Sequence, residues 1–269
     1  MPRLLRRRNP EGRMTLAEHL RELRNRVVIS ALAVLAGAVV GWLFYERVLQ
    51  ALTHPLYELA AQRHGGVVNI NFSGMTDAFS IQLNVSLFVG IILASPIWLS
   101  QIWGFVVPGL TKKEKRIARL FVVAAVPLFV AGCAVAFFTI PRMVAVLLSF
   151  TPPGAYNLQQ ATDYLNFVLR FIVAFGCAFL LPVFMVALNL VGVLPAKAML
   201  RAWRPAVMII FVFAAVMTPT PDPWSMFILA GPMCVLFFAA VGVSSLLDRR
   251  ADAARPDWLE VPDDQASAL

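Results

Sequence analysis

Val27-Val28-Ile29-Ser30-Ala31-Leu32-Ala33-Val34-Leu35-Ala36-Gly37-Ala38-Val39-Val40-Gly41-Trp42-Leu43-Phe44-Tyr45 carries no charged side chain, and its reading decides the fold. A helix rising about 1.5 Å per residue needs about 20 apolar residues to cross a hydrocarbon core of roughly 30 Å. This stretch therefore reads as a membrane span. The rest of the chain agrees: 59% of residues are hydrophobic, 14% are charged and the mean hydropathy is +0.75. That leaves too little polar surface for a water-soluble domain.

Five further apolar runs follow, Ala78–Val107, Ile117–Ile140, Tyr164–Val191, Trp203–Met217 and Pro223–Leu247. All six are expected to be helices, because lipid offers no partner for a strand edge. The gaps at 46–77, 108–116, 141–163, 192–202 and 218–222 hold the Pro and Gly punctuation of connecting segments. The fold class is thus an all-α membrane protein of six transmembrane helices. The expected divisions are a cytoplasmic amino-terminal segment with an amphipathic helix (1–26), the spans (27–247) and a disordered cytoplasmic tail (248–269). No small-residue cleavage pattern follows the basic amino-terminal stretch, so the first span is expected to be retained.

Span lengths add architecture. The second run could reach about 45 Å, and must tilt or project, whereas Trp203–Met217 reaches only about 22 Å. Pro96, Pro127, Pro182 and Pro232 each remove a backbone donor inside a span and are expected to bend it. Unequal, bent helices predict a concave wall. Pro55, Pro96 and Asp222 are expected to be structural.

Basic residues fix the orientation, since cytoplasmic flanks hold the excess. Eight of the Lys and Arg residues precede the first span, five lie at 108–119, three at 196–204 and three in the tail. Arg47, Arg63, Arg142 and Arg170 remain for the other side. Both termini are therefore expected in the cytoplasm of a plasma-membrane protein. The net charge of +8 describes one membrane face and not nucleic-acid binding.

Little suggests catalysis. Cys133, Cys177 and Cys234 lie within spans without paired spacing, and His19, His54 and His64 are scattered, so no metal site or cofactor is expected. No Ser/His/Asp set, HExxH or phosphate loop is present. A secondary transporter is the alternative reading, but it would place ionisable groups and broken helices at the midplane of two related halves. No such repeat is seen.

The surface segments carry the charged chemistry. Before the first span, Thr15-Leu16-Ala17-Glu18 has capping-box spacing, and Glu18, Glu22 and Arg26 follow one another four apart. This segment reads as a helix lying on the membrane, with its acids either paired to Arg21 or Arg26 or free to take a ligand. Thr111-Lys112-Lys113-Glu114 repeats the capping spacing after Pro108-Gly109. There Glu114 either closes a cap or binds a ligand.

Four motifs together resemble one family. His19-Leu20-Arg21-Glu22-Leu23-Arg24, Gln101-Ile102-Trp103-Gly104-Phe105, the Pro108 to Arg116 loop and the Thr218-Pro219-x-x-Asp222 turn closely resemble TatC, the polytopic subunit of the twin-arginine protein translocase. The resemblance covers residues 14–247, in order and topology. It implies export of folded proteins whose signal peptides carry two consecutive arginines, driven by the proton-motive force. It also implies that Glu22 and Glu114 receive the arginines, with Leu20, Arg24 and Phe105 on the same surface. Carboxylates suit guanidinium because they accept bidentate, charge-assisted hydrogen bonds. The implied partners are TatA-type and TatB-type single-span proteins, docked along the last two spans near Met217, Thr218 and Phe237. Multimers with other copies of the chain are also implied. The chain departs from the family pattern at Leu180, where a glutamate is frequent, at Met226 in place of a glutamine and at Phe137 in place of a tyrosine.

Overall fold

The computed structural model describes residues 16–62, 69–71, 74, 76–106, 112–149, 158–217 and 223–253. Within them the helices are α1 (Leu16–Leu43), α2 (Tyr45–Gln62), α3 (Asp77–Leu93), α4 (Ser95–Val106) and α5 (Lys112–Ser149). They continue with α6 (Ala161–Leu190), α7 (Ala196–Arg201), α8 (Trp203–Met217) and α9 (Pro223–Ala253). Two short strands, β1 (Asn69–Asn71) and β2 (Leu158–Gln160), pair in parallel with Asn69 opposite Leu158. The all-α expectation holds, and two connecting segments at the same end of the bundle satisfy each other's backbone groups as a small ladder. Thr15, the turn at 218–222 and the chain beyond Ala253 lie outside the described residues.

Four helices are long and apolar enough to cross a bilayer, at Ala17–Leu43, Arg119–Val146, Ala161–Leu190 and Leu229–Arg250. The pair α3 and α4, bent by 62°, makes a fifth if it is one span. Helix α8 is apolar but shorter, at 15 residues, and the count of six crossings depends on it.

The bend falls beside Pro96, as its missing N–H and its clash with the preceding turn require. The Trp98 indole donates to the Ile91 carbonyl at 2.9 Å, so the break leaves that oxygen satisfied inside an apolar medium. The other prolines act differently. Helices α5, α6 and α9 run through Pro127 and Pro141, Pro182 and Pro232 without interruption.

Two connecting segments prove to be helical. Gap 46–77 contains α2, in which Leu52, Pro55 and Leu56 are buried while His54 and Glu58 stay exposed. An amphipathic surface helix offers no long apolar run, so hydropathy passes over it. Tyr164 in α6 donates to the Leu52 carbonyl at 3.0 Å and fixes α2 on the bundle. Helix α6 ends at Gly192, whose φ of +82° suits glycine at a helix terminus. Helix α7 then begins under Asp248 of α9, whose carboxylate accepts from the Ala196 amide and from Asn189 Nδ2, both at 2.8 Å. Residues 248–253 thus belong to a helix and not to a tail.

Small residues set the packing. A Cβ at Gly37 would meet Gly90 Cα at 2.9 Å, and one at Gly41 would meet the Ser86 carbonyl at 2.7 Å. Gly37 and Gly41, and likewise Ser86 and Gly90, stand four apart on α1 and α3, the small-xxx-small arrangement that brings membrane helices to backbone contact. Between α5 and α6, Gly132 lies under the Phe175 carbonyl and Gly176 under Cys133 and Phe129. Helix α6 is the centre of the bundle, packed on α3, α5 and α9. Helices α3 and α6 also share a polar bond, from Asn84 Nδ2 to Asn166 Oδ1 at 3.0 Å.

A side chain at Gly90 must push into the backbone of α1, since its Cβ would lie 2.7 Å from the Ala38 nitrogen. Gly90→Val is expected to destabilise the protein by about 1–3 kcal/mol, read as a lowered Tm in detergent. Gly242→Val, at a position with nothing within 4 Å, is expected to leave the Tm near native. Equal Tm values for the two variants would show that the α1–α3 contact does not depend on Gly90.

Candidate functional site

The charged amino-terminal segment does not form a separate helix on the surface. It is the first part of α1, which is unbroken from Leu16 to Leu43, so these residues continue the axis of the span. His19, Glu22 and Arg26 share a helical face at spacings of three and four, and that face meets the end of α4. The His19 and Phe105 rings stack with centroids 4.5 Å apart. Arg26 lies over Gly104, where a Cβ would come 2.9 Å from the guanidinium carbon. A glycine there is thus a requirement of the docking.

Glu22 sits between these contacts. Arg26 donates to its Oε1 from Nε at 3.0 Å and from Nη2 at 2.5 Å, and about a quarter of each side chain is exposed. This is the pairing that the four-residue spacing allowed. Both bonds fall on one oxygen, so Oε2 stays outside the pair. Among the described residues the carboxylate is therefore held through one oxygen, with no bond shown to the other.

The five candidate residues do not all meet. Glu22 and Phe105 are brought to one junction by the α1–α4 contact. Leu20 and Arg24 are exposed; each is two residues from Glu22 and so turned about 200° around the helix. They form their own face. Glu114 is in the first turn of α5, at the same end of the bundle as Phe105, and its side chain lies outside the described residues. His19 and Gly104 stand inside two of the motifs, but the sequence assigns neither of them a role. Their only signal is the shared face with Glu22 and the absent side chain beneath Arg26.

The expected partner surface divides similarly. Met217 ends α8 and borders a groove with Asp163, Asn166 and Arg170 of α6. Phe237 is buried, at 6% exposure, because its side of α9 faces the core. Its neighbour Phe238 is 46% exposed and presents the ring that Phe237 was expected to offer. Thr218 and Asp222 lie outside the described residues. Leu180 is buried among the apolar side chains of α6.

A bundle of long apolar helices, with one charged helix end docked on a bent span, defines a polytopic membrane protein whose specific chemistry lies at one membrane face. Residues 18–232 match the family described as Sec-independent protein translocase protein (TatC). The chain is 47% identical over 240 residues to TatC of Xylanimonas cellulosilytica, covering 89% of this chain and 87% of that one. It is 38% identical over 245 residues to TatC of Rothia mucilaginosa, covering 91% and 83%. A crystal structure of the twin-arginine translocase receptor TatC in DDM superposes with a TM-score of 0.71 at 30% identity, over 84% of this chain and 99% of that one. The chain belongs to the TatC family and is a component of a Sec-independent protein translocase. The solute-transporter alternative finds no support.

The aromatic stack is the contact that joins α1 to α4 without charge. A double-mutant cycle of His19→Ala and Phe105→Ala, read by thermal unfolding in detergent, is expected to give a coupling of about 1 kcal/mol. Additive effects would show that the two helix ends are held by Arg26 alone.

Proposed function

We propose that this chain is the signal-peptide receptor subunit of a translocase that exports folded proteins across the plasma membrane, driven by the proton-motive force. Glu22 and Glu114 receive the two arginines of the signal. The observation that carries this reading is the Glu22 carboxylate, oriented by Arg26 through one oxygen and partly exposed at the α1–α4 junction. An incoming guanidinium takes Oε2 while Arg26 keeps Oε1. Arg26 thus acts as a positioning residue, and its charge repels a cation that is not seated on the carboxylate. Single-span partners of the TatA and TatB types dock along α8 and α9, where Phe238 faces outward beside the groove that Met217 borders and the short α8 leaves a mismatch with the bilayer. The chain assembles with further copies of itself, and both of its termini are cytoplasmic.

Glu22→Ala and Glu114→Ala are each expected to weaken crosslinking to a twin-arginine peptide by roughly tenfold while the Tm stays near native. Native-level crosslinking by the double variant would sink the assignment. A peptide with lysines in place of the arginines is expected to bind more weakly, because it lacks the planar fork. Orientation has its own test. Cysteines placed at Lys113 and Arg249 are expected to label only from the cytoplasm, and cysteines at Ala60 and Gln160 only from outside. Arg249 is used because the adjacent Asp248 holds α7.

A further inference from the structure

Helix α1 is almost bare, with 6% of its apolar window buried. Along it and α4 runs an apolar groove bordered by Val27, Ala31, Val34, Leu35, Trp98 and Ile102. At the amino-terminal end of α1 this groove meets a second one, about 480 Å³ in volume, whose lining includes Arg26, Ser100 and Arg119. Arg26 borders both.

Two cations border this mouth, and among the described residues their only carboxylate partner is Glu22, on Arg26. A guanidinium carries five N–H donors, and Glu22 takes those of Nε and one on Nη2. Arg119 is exposed and makes no ion pair with any described residue. Below the two cations the groove follows α1 over the nine steps from Arg26 to Leu35, about 14 Å. That is close to half of a hydrocarbon core of roughly 30 Å, the depth of one leaflet.

We propose that this site binds one anionic phospholipid from the leaflet at the amino-terminal end of α1. Its phosphate lies between Arg26 and Arg119, and one acyl chain lies along the α1–α4 groove. Arginine matches phosphate through paired N–H donors, and basic pockets between spans suit anionic headgroups. The same two cations disfavour an arginine-bearing peptide here, whereas the neighbouring carboxylate of Glu22 suits one. The lipid site adjoins the proposed signal site, sharing Arg26 and Phe105 at its border, and does not rest on that reading.

The test uses the full chain in detergent with mixed phosphatidylglycerol and phosphatidylcholine, and native mass spectrometry to count retained lipids. One phosphatidylglycerol is expected to be retained in preference. Arg119→Gln is expected to lower that retention about fivefold and to leave phosphatidylcholine unchanged. Ala31→Trp, which fills the groove and keeps both cations, is expected to lower phosphatidylglycerol retention as well. Equal retention of the two lipids by the native chain, or no effect of Arg119→Gln, would overturn the proposal. Competition by glycerol phosphate at equal concentration would overturn it in favour of a free-phosphate site. One-for-one displacement by a twin-arginine peptide would overturn it in favour of a peptide groove. A photoreactive acyl chain on phosphatidylglycerol is expected to label α1 and α4, and adducts confined to other helices would refute the placement.

Discussion

Helices α5 and α6 touch at backbone distance through Gly132 and Gly176, and α1 and α3 do so through Gly37, Gly41 and Gly90. Much else in the molecule depends on these contacts. In lipid an apolar side chain gains little by leaving one apolar medium for another, so helices hold together by close packing and a few hydrogen bonds. Glycine at the crossing points lets two backbones approach until whole turns of side chains interlock. Phe129, Phe171 and Phe175 fill the space around them and are almost completely buried. Hydrogen bonds then secure the elements that packing leaves loose: Tyr164 holds α2, Asn84 meets Asn166, and Asp248 caps α7.

This division of labour explains where the charged chemistry is placed. Among the described residues the spans are joined by side-chain hydrogen bonds, Asn84 to Asn166 and Asn189 to Asp248, and by no ion pair, whereas the amino-terminal end of α1 gathers acids and arginines. There the 62° break between α3 and α4 turns α4 so that its end receives His19 and Arg26. A straight second span would have carried Phe105 elsewhere. The position of Glu22 at a junction therefore follows from Pro96, more than seventy residues away in sequence.

The spans were legible because hydropathy depends on length and composition, which a single sequence states outright. The bend beside Pro96 was legible too, since proline acts locally. Helix α2 was not, because amphipathic burial depends on what the helix lies against. The glycines at 37, 41, 90, 132 and 176 could be counted in the sequence, but their partners could not, as a crossing point belongs to two helices at once. At the site, the spacing allowed Glu22 to pair with Arg26 but left Arg21 and a ligand as alternatives. The stacking of His19 on Phe105 and the seat of Arg26 on Gly104 join residues separated by more than seventy positions. The orientation of Phe237 was equally hidden, because an apolar helix in lipid shows the same residue types on its inner and outer faces.

The unbroken run of α1 from Leu16 to Leu43 has a mechanical consequence. Its firm attachment to α3 is at Gly37 and Gly41, while Glu22 stands fifteen residues nearer the amino terminus, about 22 Å along a stiff rod. The helix is therefore a lever with its pivot deep among the spans and its acidic tip at the surface. A tilt of about 5° at the pivot carries the tip about 2 Å past α4, enough to disturb the seats of His19 on Phe105 and Arg26 on Gly104. Any load that leans on α1 within the bilayer is thus felt, magnified, at the carboxylate, and any ligand that grips the carboxylate pulls on the spans with the same leverage.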